Sequence, residues 1–264
     1  MLIMSSPIIF HNRPWSHTHH ENSLSDKKEF VHLLSDFSRE TGTSIRILAL
    51  GDSLLKRSLP NSEDFSSMLG AEVDWLHLIR PAARWTDFYP LISEIRLLNP
   101  QIIIVHDNLL QVQRNNSTDP SILRRAFVDT RKLAEWFIRN VLANASPHFS
   151  PIPMSRRQAF LKRRYLTSIP MSAEGLAFLS VLQSITPSVV IIHLPRSRAV
   201  HPGQAQVDWI NHLEQQLQKL AIPLVILGQP LPRDHYRGDQ GHPNHKGRAV
   251  RIEQFKKFVE KQLQ

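Results

Sequence analysis

Five short apolar runs recur along the chain, and the segments between them are longer and more polar. The runs occupy residues 45–50, 73–79, 101–108, 188–194 and 223–227. Most positions in each run are apolar, a pattern typical of inner strands of a parallel sheet, because helices cover both faces of such strands. We therefore predict five buried strands.

The segments between the runs mostly carry apolar residues three to four positions apart, which predicts helices with one buried face. The predicted helices cover residues 25–40, 63–69, about 85–99, 120–143, 154–165, 173–185, 208–220 and 243–263. Strands and helices alternate over the whole length, and connections between parallel strands are right-handed. The predicted fold class is α/β: a three-layer α/β/α, doubly wound, mostly parallel five-stranded sheet of the flavodoxin-like kind.

The ends of this pattern suggest how the chain is organised. Residues 1–24 contain proline and four histidines, three of them at positions 17, 19 and 20, so we predict an irregular N-terminal arm followed by one domain over residues 25–264. No carboxylate cluster accompanies the histidines at 17, 19 and 20, which disfavours a metal site there. Residues 112–172 exceed what a simple crossover requires. We predict a basic helical insertion that either caps the sheet edge or extends at its periphery.

Composition narrows the class of protein. The 264 residues are 41% hydrophobic, yet no apolar run approaches the roughly 20 residues that span a bilayer. The first ten residues lack a basic segment followed by a continuous apolar one, so no signal peptide is predicted. We expect a cytoplasmic location, with a periplasmic or envelope-associated one as the alternative. The absence of cysteine excludes disulfides, thiolate metal sites and cysteine nucleophiles.

The formal charge of +9 is compatible with an anionic partner. Its excess lies in short clusters in the middle of the chain and near the C-terminus, and short clusters of this kind usually form solvated helix faces. The alternative is that the basic part of the insertion, around residues 156–164, binds an anionic ligand such as an acidic glycan.

The first apolar run ends abruptly at Gly51-Asp52-Ser53. Gly51 permits a tight turn, and either Asp52 or Ser53 can cap the helix that follows. A helix cap is one interpretation of Ser53, and a catalytic nucleophile is the other. In doubly wound sheets ligands bind at the carboxyl ends of the strands, where Ser53, Asn108 after the third strand and the loop after the fifth strand are expected to meet.

The loop after the fifth strand holds a carboxylate three residues before a histidine, Asp239 and His242. Asp239 could orient the imidazole of His242 while His242 takes a proton from Ser53, which are the roles in a Ser-His-Asp triad. A structural role is the alternative, since Pro243 suits the first residue of a helix and such loops are common.

Taken together, residues 51–54 and 239–244 resemble blocks I and V of the SGNH, or GDSL, hydrolase family. The resemblance spans the chain and implies that Ser53 is the nucleophile and that Asp239 and His242 complete the triad. It also implies an SGNH hydrolase-like α/β fold that needs neither a metal nor an organic cofactor.

In that family the oxyanion is bound by the serine amide, a block II glycine and a block III asparagine. The resemblance therefore implies an oxyanion hole formed by Ser53, Asn108 and, at the glycine position, Ala82. Alanine offers the same backbone N–H without the conformational freedom of glycine. Loss of one such donor costs about 3 kcal/mol of transition-state stabilisation.

The implied function is a serine esterase, deacetylase or O-acyltransferase acting on a small-molecule, carbohydrate or lipid ester. The second half of the chain, with Pro195 after the fourth strand, also resembles SGNH-like proteins of cell-envelope O-acylation, including alginate O-acetyltransferases. Because Ala82 departs from the block II pattern, one alternative stays open. It is a non-catalytic SGNH-like module that binds an anionic glycan, a lipid or nucleic acid.

Overall fold

The computed structural model of the chain describes the central sheet, the helices packed on it and the loops at one edge. The described residues are 15–16, 23–24, 45–70, 73–79, 83–113, 158–159, 161–162, 166 and 168–264. The predicted helices over 25–40 and 120–143, the histidines of the N-terminal arm, most of the basic insertion and Ala82 lie outside these residues. The corresponding predictions stay predictions.

The central sheet contains five parallel strands, as predicted. The strands of the described residues are β1 (Trp15–Ser16), β2 (Ser23–Leu24), β3 (Ile45–Gly51), β4 (Val73–Ile79), β5 (Ile102–His106), β6 (Val112–Gln113), β7 (Ser168–Ile169), β8 (Val189–His193) and β9 (Leu224–Ile226). Their order in the sheet is β2-β1-β4-β3-β5-β8-β9, and every pair from β4 to β9 is parallel. The short β1 and β2 pair antiparallel at the β4 edge, and β6 and β7 form a separate ribbon.

Helices cover both faces of this sheet. They are α1 (Ser53–Ser58), α2 (Ser62–Leu69), α3 (Trp85–Phe88), α4 (Ile92–Leu98), α5 (Ala173–Gln183), α6 (Gly203–Gln218) and α7 (His245–Gln262). Side chains of β3 alternate between two core clusters: Leu48 and Leu50 pack with α3 to α6, whereas Ile47 and Ala49 pack with α1, α2 and α7. The architecture is therefore the three-layer α/β/α fold that the apolar runs predict.

Two helices differ from their predicted bounds for identifiable reasons. The helix predicted over residues 85–99 is divided, because Tyr89–Leu91 forms a 3₁₀ turn around Pro90, which lacks the N–H that a continuous α-helix requires. Helix α6 begins at Gly203, five residues before the predicted start. The residue that this first turn buries is the polar Gln206, so the apolar spacing gave no signal there.

The order of the parallel strands places a crevice at one edge. Strand β3 lies between β4 and β5, so the chain winds away from β3 in opposite directions on its two sides. In doubly wound folds ligands bind outside the carboxyl ends of the two strands at such a switch point. Ser53 follows β3, and Asp107 and Asn108 follow β5, at this crevice. Among the described helices, none is long and apolar enough to cross a bilayer.

Candidate active site

Ser53 stands at the start of α1, two residues after the end of β3. Asp52 is the helix cap, and its Oδ1 accepts a hydrogen bond of 2.9 Å from the backbone N–H of Leu54. Helix α1 turns back so closely that a Cβ on Gly51 would lie 2.3 Å from Cδ2 of Leu55. Glycine is therefore needed for this approach, and capping by Asp52 leaves the Ser53 hydroxyl to make other contacts.

The Ser53 hydroxyl contacts the imidazole of His242. Ser53 Oγ lies 3.0 Å from His242 Nε2, and His242 Nδ1 lies 2.9 Å from Asp239 Oδ2. An ionised carboxylate can only accept, so the hydrogen of the ring belongs on Nδ1 and the lone pair of Nε2 faces the serine. In this arrangement the imidazole can take the proton of the Ser53 hydroxyl.

The carboxylate of Asp239 is almost completely buried, with 2% of the residue exposed. Its Oδ1 accepts hydrogen bonds from the backbone N–H groups of Gly241 and His242, at 3.0 and 3.2 Å. Burial alone would raise the pKa of Asp239, but the hydrogen bonds and the charge of His242 outweigh it and lower the pKa to about 2. Asp239 is therefore ionised at neutral pH.

A left-handed residue shapes the turn between the carboxylate and the imidazole. Gln240 has a φ of 55°, a conformation that costs a residue with a side chain about 1 kcal/mol or more. Its N–H donates to the carbonyl of Arg237 at 2.8 Å, and its Oε1 accepts from Ser197 Oγ at 3.2 Å. These contacts hold the turn that presents His242 to Ser53.

The side-chain amide of Asn108 is held between two charged groups, Arg196 and the Asp52 side chain that precedes Ser53. Its Nδ2 donates to Asp52 Oδ2 at 2.8 Å, and its Oδ1 accepts from Nη2 of the fully buried Arg196. A guanidinium only donates and a carboxylate only accepts, so the amide has a single orientation compatible with both. The second N–H of Nδ2 is the group that could donate to an oxyanion.

Beneath Asn108, a buried polar network extends from the site towards α6. His106 lies between two carboxylates, with Nδ1 3.2 Å from Asp52 Oδ1 and Nε2 3.4 Å from Asp107 Oδ1. The other oxygen of Asp107 accepts from His193 Nδ1 at 2.7 Å and from Trp209 Nε1 at 2.9 Å. The polar ends of β3, β5 and β8 are thereby joined in one layer.

Burial and neighbouring groups determine which side chains of this network are charged. Burial alone would raise the pKa of Asp107, but the neighbouring His193 and Arg196 hold it well below its usual range. Burial lowers the pKa of His193, so its ring is neutral. Its Nδ1 donates to Asp107, and its Nε2 accepts from Gln206 Nε2 at 3.0 Å. Asp107 is therefore a buried carboxylate, partly balanced by Arg196.

Ser53, Asp239, His242 and Asn108, which the sequence nominates, meet at this sheet edge, whereas Ala82 lies outside the described residues. Sequence reasoning missed Arg196. Its position three residues after β8 places it at the carboxyl edge of the sheet, where functional side chains are expected. In the described ranges, no group of three or more histidine and acidic side chains could hold a metal ion.

Another buried histidine makes stability depend on pH. His201 is fully buried, and its ring packs edge-on against Trp209 with centroids 5.9 Å apart. Burial, reinforced by the charge of Arg196, lowers the pKa of His201 to about 3 from 6.5. Between pH 6.5 and pH 3, His201 is protonated in the unfolded chain but neutral in the folded protein. A fall in pH over this range therefore favours unfolding. Well within this range, each unit by which the pH falls lowers the free energy of unfolding by about 1.4 kcal/mol.

We therefore expect His201 to lower the free energy of unfolding by about 2 kcal/mol between pH 6.5 and pH 4.5. Urea unfolding of the wild type and of His201→Phe at pH 7.0 and 4.5 measures this contribution. The phenylalanine variant should show a correspondingly smaller loss at the lower pH. An equal loss in both proteins would contradict the assignment of a neutral His201.

Comparisons with known proteins give a likeness of fold. No protein-family model and no curated protein matches the chain. Among solved structures it is similar to a carbohydrate esterase family 3 from Talaromyces cellulolyticus (14% identity, 82% of this chain, 97% of that chain, TM-score 0.43). It is also similar to a Clostridium thermocellum family 3 carbohydrate esterase, with 10% identity over 81% of this chain and 94% of that chain and a TM-score of 0.43. A third similar structure is a catalytic mutant of an acetylxylan esterase from Geobacillus stearothermophilus, with 8% identity over 82% of this chain and 94% of that chain and a TM-score of 0.43. At such identities and TM-scores the likeness says nothing about the reaction of this chain.

Proposed function

We propose that this chain is a serine esterase that cleaves ester bonds through an acyl-enzyme on Ser53. The observation that supports the proposal is the continuous relay from Ser53 Oγ to His242 Nε2 at 3.0 Å and from His242 Nδ1 to Asp239 at 2.9 Å. A base within hydrogen-bond reach of the nucleophile, itself oriented by a third group, is the signature of an activated serine.

In the first half of the reaction, Ser53 Oγ attacks the ester carbonyl while His242 Nε2 takes the hydroxyl proton. The resulting imidazolium is stabilised by the ionised Asp239 and then gives the proton to the leaving alcohol. In the second half, His242 takes a proton from water, the water oxygen attacks the acyl carbon, and Ser53 leaves with the proton restored. The acid is released and the enzyme returns to its starting state.

The oxyanion formed in each half needs hydrogen-bond donors at a fixed position. The backbone N–H of Ser53 belongs to the first turn of α1, where N–H groups have no carbonyl partner within the helix. The second N–H of Asn108 is the other donor supported by the geometry, because Asp52 and Arg196 orient its amide. The N–H of Ala82 remains the proposed third donor.

Hydrolysis of p-nitrophenyl acetate and of an acetylated xylo-oligosaccharide, followed by p-nitrophenol and acetate release, tests the proposal. We expect turnover by the wild type and none above background by Ser53→Ala. Turnover that survives in Ser53→Ala would contradict it. Absence of turnover by folded wild-type protein on every ester tried would instead favour the non-catalytic binding module.

Replacing Asn108 with alanine should lower kcat by about 10²- to 10³-fold with little change in KM, because an oxyanion donor acts in the transition state. Asn61→Ala is the matched control: Asn61 Oδ1 accepts from the N–H of Asp64 and caps α2, and Asn61 has no part in the proposed relay or oxyanion hole. It should cost about 1 kcal/mol of stability and leave kcat unchanged. A kcat for Asn108→Ala within tenfold of the wild type would remove Asn108 from the oxyanion hole.

A further inference from the structure

A cleft of about 660 Å³ opens beside the loop that carries Asp239 and His242. Its walls come from three parts of the chain: the segment after β8, the segment after β9 and the described part of the basic insertion. The lining residues used below are Gln158, Ser197, Arg198, Gln229 and Arg233. The cleft is large enough for a ligand of several rings.

The cleft adjoins the candidate active site through two contacts. Ser197 in the cleft wall donates to the side chain of Gln240, which lies between Asp239 and His242 in the chain. On the insertion side, Leu161 lies three positions after Gln158 of the wall. Leu161 packs against Gly241, so closely that a Cβ there would lie 2.5 Å from Leu161 Cδ1. These contacts place the cleft against the loop that carries Asp239 and His242.

The groups that line the cleft match an acidic saccharide. Arg198 and Arg233 are exposed, and each guanidinium can bind a carboxylate through two parallel hydrogen bonds. The amides of Gln158 and Gln229 are donors and acceptors suited to sugar hydroxyls. Among the described residues that line the cleft none is acidic. The Asp234 carboxylate beside Arg233 in sequence is engaged by His235 and Lys246.

We propose that this cleft binds an acidic sugar residue of the ester substrate, with Arg198 and Arg233 contacting its carboxylate. The proposal rests on the esterase function proposed above and names the class of substrate: an esterified oligosaccharide that carries a uronate. The arginines select the acidic sugar, and the neighbouring relay acts on the ester.

Binding of an unesterified short oligogalacturonate, measured by isothermal titration calorimetry, tests the cleft without any reaction. We expect the wild type to bind it, and binding to weaken as salt rises, because exposed charge pairs are screened. Arg198→Gln with Arg233→Gln should weaken binding about tenfold. Lys257→Gln, at an exposed position on α7 that does not line the cleft, removes one positive charge and should leave binding unchanged.

Three outcomes would overturn the cleft proposal. They are equal affinity for a neutral xylo-oligosaccharide, equal affinity for inorganic phosphate, and undiminished oligogalacturonate binding by the double arginine variant. Turnover of p-nitrophenyl acetate separates this proposal from the esterase function, since the double variant should retain it. Oligogalacturonate binding without any ester turnover would support the cleft and contradict the esterase function.

Discussion

Replacing either Ser53 or His242 with alanine is expected to lower kcat/KM for an acetyl ester by about 10⁴- to 10⁶-fold. Ser53 supplies the oxygen that forms the acyl-enzyme, and His242 is the group that lies 3.0 Å from that oxygen and can take its proton. Because the two act as one unit, the double variant should be no slower than the worse single variant. The measurement is initial-rate kinetics on p-nitrophenyl acetate.

His245→Ala is the matched control for this pair. His245 is exposed at the first turn of α7, three residues after His242, and should retain activity close to that of the wild type. Urea unfolding of each variant separates loss of chemistry from loss of structure. Losses for Ser53→Ala and His242→Ala that multiply in the double variant would show that the two residues act independently, contrary to the proposed relay.

Replacing Asp239 with asparagine is expected to lower kcat by about 10⁴-fold while the fold is retained. The backbone N–H groups of Gly241 and His242 donate to Oδ1 of residue 239, so the asparagine would keep its oxygen there and turn its NH₂ towards His242 Nδ1. The imidazole would then carry its hydrogen on Nε2, facing Ser53, and could no longer accept the serine proton.

Asp234→Asn is the control, because Asp234 lies in the same loop but its side chain is 62% exposed and contacts Lys246 rather than His242.

Asp239→Asn should also change how the stability of the protein depends on pH. The folded pKa of Asp239, about 2, lies below its ordinary 3.8, so its stabilising contribution is present above pH 4 and is lost as the pH falls towards 2. Asp239→Asn should lack this acid-induced loss. Near-normal kcat in Asp239→Asn would contradict the orienting role.

The sheet and the relay residues Ser53, His242 and Asp239 were accessible from the sequence for physical reasons. Inner strands of a parallel sheet must be apolar on both faces, so β3, β5 and β8 stand out as continuous runs. Asp239 and His242 stand out because their separation of three residues lets a single turn join carboxylate to imidazole. The carboxyl ends of parallel strands then place Ser53 within reach of them.

The supporting residues were less accessible, because their roles depend on contacts between distant parts of the chain. Arg196 acts on Asn108 across 88 positions, and Gln206 reaches His193 from a helical turn with no apolar periodicity. The left-handed conformation of Gln240 is unexpected for glutamine, and its side chain is held by Ser197, 43 positions away. Local patterns contain none of these tertiary contacts.

Labelling with a fluorophosphonate, followed by tryptic digestion and mass spectrometry, tests the nucleophile directly. The reagent phosphorus is attacked by an activated serine oxygen and fluoride leaves, so the site of labelling is recorded as a stable adduct. Trypsin releases residues 47–56 as one peptide, whose single serine is Ser53. We expect one adduct per chain on that peptide, none in Ser53→Ala and little in His242→Ala. An unlabelled wild type, or an adduct on another peptide, would contradict the assignment of Ser53 as the nucleophile.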